Sequence, residues 1–365
     1  GQCLAPTEET IEMSVHLISA DEAMAKLDQF DAILDARSEG EHAEDHLPGA
    51  QSWPSLNNEE RIRVGTLYKQ VSPFDAQKIG AALVAKNIAR HIETHVMDKP
   101  KNWQPLIYCW RGGKRSNSLA LILGQIGFKV HLIEGGYKAF RKAVMEDTPR
   151  QAQRLQFQVL CGPTGSGKTR LLHALAQQGA QVLDLEGIAC HRSSVLGLIP
   201  GQAQPTQKAF DTQVWNALRR FDPALPVYVE AESKKVGNLA VPAELMNAMR
   251  ASPCIRVDLS LENRVNLLLE DYAFFTQDKA FFIDRLERLV ALRGKAVVDA
   301  WKEQIERGEM REVVADLLSQ HYDPGYETST GKNFVQFSKA AVIAPASHAL
   351  DDMRAAAAQL RQTQG

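Results

Sequence analysis

The string GPTGSGKT at 162–169 fits the pattern G-x-x-x-x-G-K-[ST], and it lies between an apolar run, FQVLCG, and a helix-like run, RLLHALAQQ. A glycine-rich turn from strand into helix commits this part of the chain to an α/β fold built on a parallel sheet. Gly162, Pro163, Thr164, Gly165, Ser166 and Gly167 form a turn whose amides face inward around a phosphate, and the helix N-terminus adds positive potential. Lys168 then reaches the outer phosphate, and Thr169 is placed to hold Mg²⁺. The motif does not name its ligand. No Asn-Lys-x-Asp segment reads guanine, and a diphosphate other than a nucleotide fits equally well. Asp184 and Glu230 end apolar runs, where each is either a group that orients water or takes a proton, or simply a polar strand end.

The rest of the chain supports two α/β units. At 365 residues it is long for one core. Apolar runs at 31–37 and 105–110 and the segments LALILGQIG and KVHLIEGG alternate with helical patterns such as 75–95. Residues 1–15 read as a loose polar tail and 16–145 as the first domain. The polar stretch MEDTPRQAQR places a linker at 146–155. Strands are expected in FQVLCG, QVLDLEG, PVYVEAE and CIRVDLS, giving a P-loop core at 156–260, followed by a helical extension at 261–365.

A second loop carries chemistry. In IYCWRGGKRSNS, Cys109 follows an apolar run and precedes Trp110, Arg111, Gly112, Gly113, Lys114 and Arg115, with a helix expected from about Ser116. Amides curled toward the sulfur, a helix N-terminus and nearby cations favour thiolate over thiol, which marks Cys109 as the nucleophile. Cys161, Cys190 and Cys254 read as packing residues. With Cys3 the cysteines number five, without a Cys-x-x-Cys pair, so neither a disulfide framework nor a zinc site is expected. The formal net charge of -2 supplies no global field for a polyanion, so nucleic acid needs a local basic patch. The longest nearly apolar stretch, 119–128, falls short of the ~20 residues that span a bilayer. A cytoplasmic protein without a membrane partner is the expectation.

The first unit resembles the rhodanese domains. The resemblance rests on Asp35, Arg37, His46, Pro48, Gly49 and Ala50 in DARSEGEHAEDHLPGAQSWP, and on EGGYKAFR at 134–141. Five residues separate Cys109 from Arg115, where most rhodaneses have four and dual-specificity phosphatases have five, so the loop suits a tetrahedral anion. With the P-loop half, the strings YCWRGGKRS, LDLEGIACHR, VEAESKKVGN and HYDPGY make the chain similar to the tRNA 2-selenouridine synthase family. That likeness implies a three-layer rhodanese-like domain followed by a P-loop NTPase-like α/β domain with its helical extension. It implies an enzyme that replaces the sulfur of a wobble 2-thiouridine in tRNA by selenium from selenophosphate, and that attaches a geranyl group from geranyl diphosphate. Cys109 would serve the selenium step inside the anion loop Trp110–Arg115, and Gly162–Thr169 would hold the diphosphate. Glu186, His191, Arg192, Glu230, Ser233, Lys234 and Lys235 would line the same face. After Arg192 the family string runs Gly-Ser-Ser-Phe-Gly where this chain has Ser193, Ser194, Val195, Leu196 and Gly197, and no role is carried to those positions.

Geranylation would turn a poor leaving group into a thiol that departs easily. Cys109 then either carries selenium as a selenenyl sulfide or helps expel that thiol. No tightly bound cofactor is expected; Thr169 leaves room for Mg²⁺, and a selenophosphate supply enzyme is a candidate partner. Arg141/Lys142, Arg150, Arg154, Arg219/Arg220 and Lys234/Lys235 are candidate contacts to tRNA phosphates, and Trp110 and Tyr137 either stack on a flipped base or belong to the core. Three other readings stay open. A Cys-x5-Arg phosphatase leaves the P-loop unexplained, a small-molecule kinase leaves Cys109 idle, and a sulfur-relay or tRNA-binding adaptor would leave the nucleoside unchanged.

Overall fold

The computed structural model describes residues 15–192 and 201–362, apart from the side chains of Phe275 and Thr276. The tail before Val15, with Cys3, and the departing stretch 193–197 lie outside the described residues. Two compact units divide between Asp147 and Thr148.

The first unit is a five-stranded parallel sheet. Its strands are β1 (Val15–Ile18), β2 (Ala32–Asp35), β3 (Ala50–Ser52), β4 (Pro105–Tyr108) and β5 (Val130–Ile133), in the order β1-β5-β4-β2-β3. Every residue of β4 is buried, as a strand covered on both faces requires. Around the sheet lie α1 (Ala20–Ala25), α2 (Glu39–Glu44), α3 (Asn58–Gln70), α4 (Pro73–His95), α5 (Lys114–Ile126) and α6 (Gly136–Arg154). Leu34, Trp53, Ile88, Trp103, Ile107, Leu119 and Leu123 share the core that carries the cysteine loop.

The expected linker at 146–155 is instead helical, because α6 continues through it. Phe140, Val144, Thr148 and Ala152 are all buried at a spacing of four, a stripe that the surrounding charged residues obscure. Pro149 sits inside this helix.

The second unit is also a five-stranded parallel sheet. It is built from β6 (Gln156–Cys161), β7 (Gln181–Leu183), β8 (Pro226–Glu230), β11 (Cys254–Val257) and β12 (Ala341–Ile343), in the order β12-β11-β6-β8-β7. A small hairpin, β9 (Lys235–Val236) with β10 (Leu239–Ala240), follows β8. Helices α7 (Lys168–Gln177), α8 (Leu185–Ala189), α9 (Gln207–Leu218) and α10 (Ala243–Ala251) connect the strands. Next come α11 (Leu261–Asp271), α12 (Ala273–Gln277), α13 (Lys279–Glu287), α14 (Val290–Arg293), α15 (Lys295–Glu306) and α16 (Met310–Asp316), then a wide π-turn at Leu317–Tyr322 and α17 (Tyr326–Asn333).

The segment 261–365 is therefore not only a helical extension. It returns β12 to the sheet edge beside β11, and α18 (Leu350–Gln362) packs on α7. Met353, Ala356, Ala357 and Leu360 join Leu171, Leu172 and Leu175 in one apolar cluster, where each buried leucine contributes roughly 2 kcal/mol. Among the described residues, no helix is long and apolar enough to cross a membrane.

Candidate functional site

The cysteine loop hangs between β4 and α5. Cys109 Sγ accepts hydrogen bonds from the Gly113 amide at 3.1 Å and from the Ser116 hydroxyl at 3.0 Å. Both donors sit at the start of α5. The loop is clamped from below by α6, since the Tyr137 amide donates to the Cys109 carbonyl at 2.8 Å and the Lys138 amide to that of Trp110 at 3.1 Å. Gly136 makes the approach possible. Its φ is +57°, and a Cβ there would collide with the Cys109 carbonyl and the Gly112 amide.

Arg111, in the loop after Cys109, and Lys114, at the start of α5, are exposed. Arg115 turns elsewhere and pairs with Glu41 at 2.7 Å, while Ser55 donates to its carbonyl, so its guanidinium braces the loop through α2. Glu41 also closes the capping box of α2 with Ser38. The same unit holds a buried ion pair: Arg37 donates to Asp35 from Nε at 2.9 and 3.2 Å, from Nη2 at 2.6 Å and from its own amide at 3.0 Å, and from Nη2 to the Asp45 carbonyl at 2.7 Å. Burial opposes the Arg37 charge, but Asp35 outweighs it and holds the guanidinium firmly protonated. Tyr137 belongs to this core. Its hydroxyl donates to Asp45 at 2.7 Å, and Arg37 lies 4.1 Å over its ring. It is only 2% exposed, which removes it as a base-stacking platform. Trp110 is half-buried and stacks on Tyr137 at 5.4 Å.

In the second unit the P-loop opens into a cleft of about 750 Å³. Lys168 donates to the carbonyls of Gly162 at 2.7 Å and Pro163 at 3.3 Å, which points its ammonium into the loop. Gly167 has a φ of +86°, and any side chain there would strike Met353 of α18. Residues that the motif does not reveal hold the loop from outside. Arg264 donates to the Thr164 carbonyl at 3.0 and 2.7 Å and to both oxygens of Asp323 at 3.0 and 2.6 Å. The Tyr326 hydroxyl accepts the Gly162 amide. Asp323 and Tyr326 belong to HYDPGY, which was legible as a family string but not as a P-loop brace.

Glu186, His191, Arg192, Glu230 and Ser233 line the cleft, as do Asp184 and Glu232, whereas Lys234 and Lys235 are exposed on the hairpin outside its wall. Burial, reinforced by Glu186, pushes the Glu230 carboxyl up to about 7 against the pull of Lys168 and Thr169. His173 bonds Asp184 at 2.8 Å, a contact that raises the imidazole. Burial pushes Asp184 up, but His173 and the Gly187 amide outweigh it and the net shift is downward. Arg192 donates to the Asp271 carbonyl and lies 4.7 Å over the Tyr272 ring, while Arg170 bridges Glu270 and Asp271. The same cleft is also lined by Leu267, Leu268, Tyr272 and Phe334. Ser166 Oγ, His191 Nδ1 and Glu230 Oε1 are buried without a hydrogen-bond partner among the described residues.

The candidate tRNA-contacting residues divide. Arg154 is engaged inside its unit, donating to the carbonyls of Leu218, Arg219 and Phe221 at the end of α9. Arg219 lies over Trp215, and Lys142 faces Glu146 at 3.7 Å. Arg150 and Arg220 are exposed.

Two family models match the chain, a tRNA 2-selenouridine synthase AAA domain over residues 155–288 and a rhodanese-like domain over residues 19–143. A tRNA 2-selenouridine synthase of Alcanivorax borkumensis is 33% identical over 327 residues, covering 81% of this chain and 88% of that protein. The same-named protein of Sulfurovum sp. is 30% identical over 331 residues, covering 82% and 89%. That of Nitrosomonas europaea is 36% identical over 248 residues, covering 67% and 64%.

Proposed function

The chain belongs to the tRNA 2-selenouridine synthase family, and from that premise we propose that it replaces the 2-sulfur of a wobble 2-thiouridine in tRNA by selenium from selenophosphate, through an S-geranylated intermediate made from geranyl diphosphate. The observation that carries the reading is a pairing on one chain. A cysteine held by amide and hydroxyl donors lies in a loop with Cys-x5-Arg spacing, and a P-loop cleft is lined by both charged and apolar side chains.

In the first step the thiocarbonyl sulfur attacks C1 of geranyl diphosphate, the C1–O bond breaks, diphosphate leaves with the electron pair, and the base loses its N3 proton to solvent. The P-loop amides and Lys168 stabilise that departing charge, and Leu267, Leu268, Tyr272 and Phe334 shelter the prenyl chain from water. When bound, Mg²⁺ at Thr169 would supply further charge neutralisation.

In the second step the Cys109 thiolate attacks phosphorus of selenophosphate, the P–Se bond breaks, and selenide leaves with the pair. Water then releases phosphate from the cysteine. Selenide adds at C2 of the geranylated base and geranylthiol departs. Every stage is redox-neutral, whereas a selenenyl sulfide on Cys109 would need two electrons taken up on delivery. The wide loop is the phosphate seat in this scheme. Exposed Arg111 and Lys114 attract the anion, while Arg115 and Glu41 keep the loop open at its base. A selenophosphate-making enzyme is the supplier the reading adds, and the cytosol its compartment.

The test uses geranyl diphosphate without any selenium donor. Purified protein with thiouridine-containing tRNA should yield S-geranyl nucleoside and inorganic pyrophosphate in equal amounts. Phosphoryl transfer from ATP, or phosphate release from aryl phosphates with unmodified tRNA, would turn the assignment to a kinase or a phosphatase.

A further inference from the structure

We propose that His191 is the general base of the geranyl-transfer step, taking the N3 proton of the thiouridine as its sulfur attacks. The inference rests on the proposed function and adds to it the group through which that proton passes on its way to solvent.

The chain turns sharply to place this side chain. Helix α8 ends at Ala189, and Cys190 follows with φ +49° and ψ +41°, the one non-glycine with positive φ among the described residues. A side chain in that region is strained, and such strain persists where surrounding contacts impose it. Here the Cys190 amide donates to the Gly187 carbonyl at 3.2 Å, and the His191 amide donates to the Glu186 carbonyl at 3.1 Å. The following residue is tied down as well, since Arg192 donates to the Asp271 carbonyl at 3.0 Å and lies over the Tyr272 ring. His191 is thereby fixed in the wall of the P-loop cleft. It is 9% exposed, and its Nδ1 has no hydrogen-bond partner among the described residues. Buried polar atoms are satisfied as a rule, so an imidazole left in this state points to a partner that arrives with the substrate.

The reaction needs a base at this place. As the S–C1 bond forms and C2=S becomes C2–S, the N3–H bond breaks and its electron pair makes the N3=C2 bond. N3 and the sulfur share C2 as neighbour, so the proton leaves inside the cleft that takes the diphosphate. Other titratable groups of the cleft are engaged. His173 on α7 and Asp184 hold one another, Asp271 on α11 holds Arg170, and Glu230 at the end of β8 faces Thr169 and Lys168. Burial lowers the His191 imidazole against the opposite pull of Glu186 on α8, which keeps the ring neutral and able to accept a proton near neutral pH. The imidazolium formed in the step returns that proton to solvent before the next turnover.

The experiment follows S-geranyl nucleoside formed from thiouridine-containing tRNA and geranyl diphosphate between about pH 6 and pH 9, in the full chain and in His191→Ala, His191→Gln and Glu230→Gln. At neutral pH His191→Ala should be slower by roughly 100-fold, and its rate should climb about tenfold per pH unit as N3 ionises unaided, far more steeply than the wild type. Added imidazole should restore part of the rate. Pyrophosphate affinity, read by calorimetry, should stay at the wild-type value. His191→Gln should show the same profile, and it carries the test if His191→Ala does not fold. A wild-type rate and profile in the folded His191 variants overturns the proposal, as does a defect that neither pH nor imidazole relieves. The steep profile in Glu230→Gln, with the His191 variants unchanged, would move the role to Glu230. A wild type that forms no S-geranyl nucleoside defeats the proposed function and this inference together, whereas an active wild type with unaffected His191 variants defeats the inference alone.

Discussion

The backbone of Gly136 lies against the cysteine loop so closely that a Cβ there would collide with the Cys109 carbonyl and stand 2.7 Å from the Gly112 amide. The closing glycine pair and the nucleophile, far apart in sequence, are halves of one turn. Gly136→Ala should therefore shift the loop and lower stability by about 1–3 kcal/mol, since the residue also has positive φ. Denaturant unfolding measures the loss, and the alkylation rate at Cys109, followed by peptide mass spectrometry, should change with it. An unaltered rate with wild-type stability would show that the clamp does not shape the loop.

Arg264 ties the Thr164 carbonyl to Asp323. Arg264→Ala leaves the P-loop unbraced and should cost roughly 2 kcal/mol, less than a fully buried pair because Asp323 is about a third exposed. Calorimetric titration with pyrophosphate should show weakened binding. Pyrophosphate affinity equal to wild type would remove Arg264 from the account.

Tyr137 and Trp110 should part company. Tyr137→Phe removes the hydrogen bond to Asp45 and should cost about 1 kcal/mol of stability. Trp110→Ala, at a half-buried ring, should change stability less and slow tRNA modification more. The reverse pattern would place the aromatic contact to tRNA on Tyr137.

The pair His173–Asp184 gives a pH dependence with a definite sign. The imidazole is raised above its ordinary 6.5, so its contribution is full below that value and fades as pH climbs through the raised folded value. Asp184 is lowered below 3.8, so its contribution is present above that value and is lost as pH falls through the lowered one. Between those limits the pair stabilises the start of α8. Asp184→Asn should return the His173 titration, followed by NMR, toward 6.5. A titration that does not move would contradict the pairing.

Much of this was legible where chemistry and periodicity coincide. The runs that became β2, β4, β6, β7, β8 and β11 are continuous, β2, β4, β8 and β11 are buried almost throughout, and the P-loop and cysteine strings state their own turns. Helix α3 was not legible, because it buries none of its residues and is set by the Asn57–Glu60 capping box rather than by an apolar stripe. β12 is three residues long at a sheet edge, too short for a pattern. The family resemblance places Arg115 in the anion loop, and its turn toward Glu41 depends on a partner 74 positions away. Long-range braces such as Arg264 and Tyr326 leave no local mark for the same reason.

The central claim is that the two cradles do separate chemistry on one tRNA base. The most direct measurement is mass spectrometry of nucleosides from thiouridine-containing tRNA incubated with geranyl diphosphate and selenophosphate, comparing wild type with Cys109→Ser and Lys168→Ala. The account predicts 2-selenouridine with wild type, accumulation of the S-geranyl nucleoside with Cys109→Ser, and neither product with Lys168→Ala. Selenouridine formed at the wild-type rate by Cys109→Ser, or tRNA returned unmodified by the wild type, would contradict it.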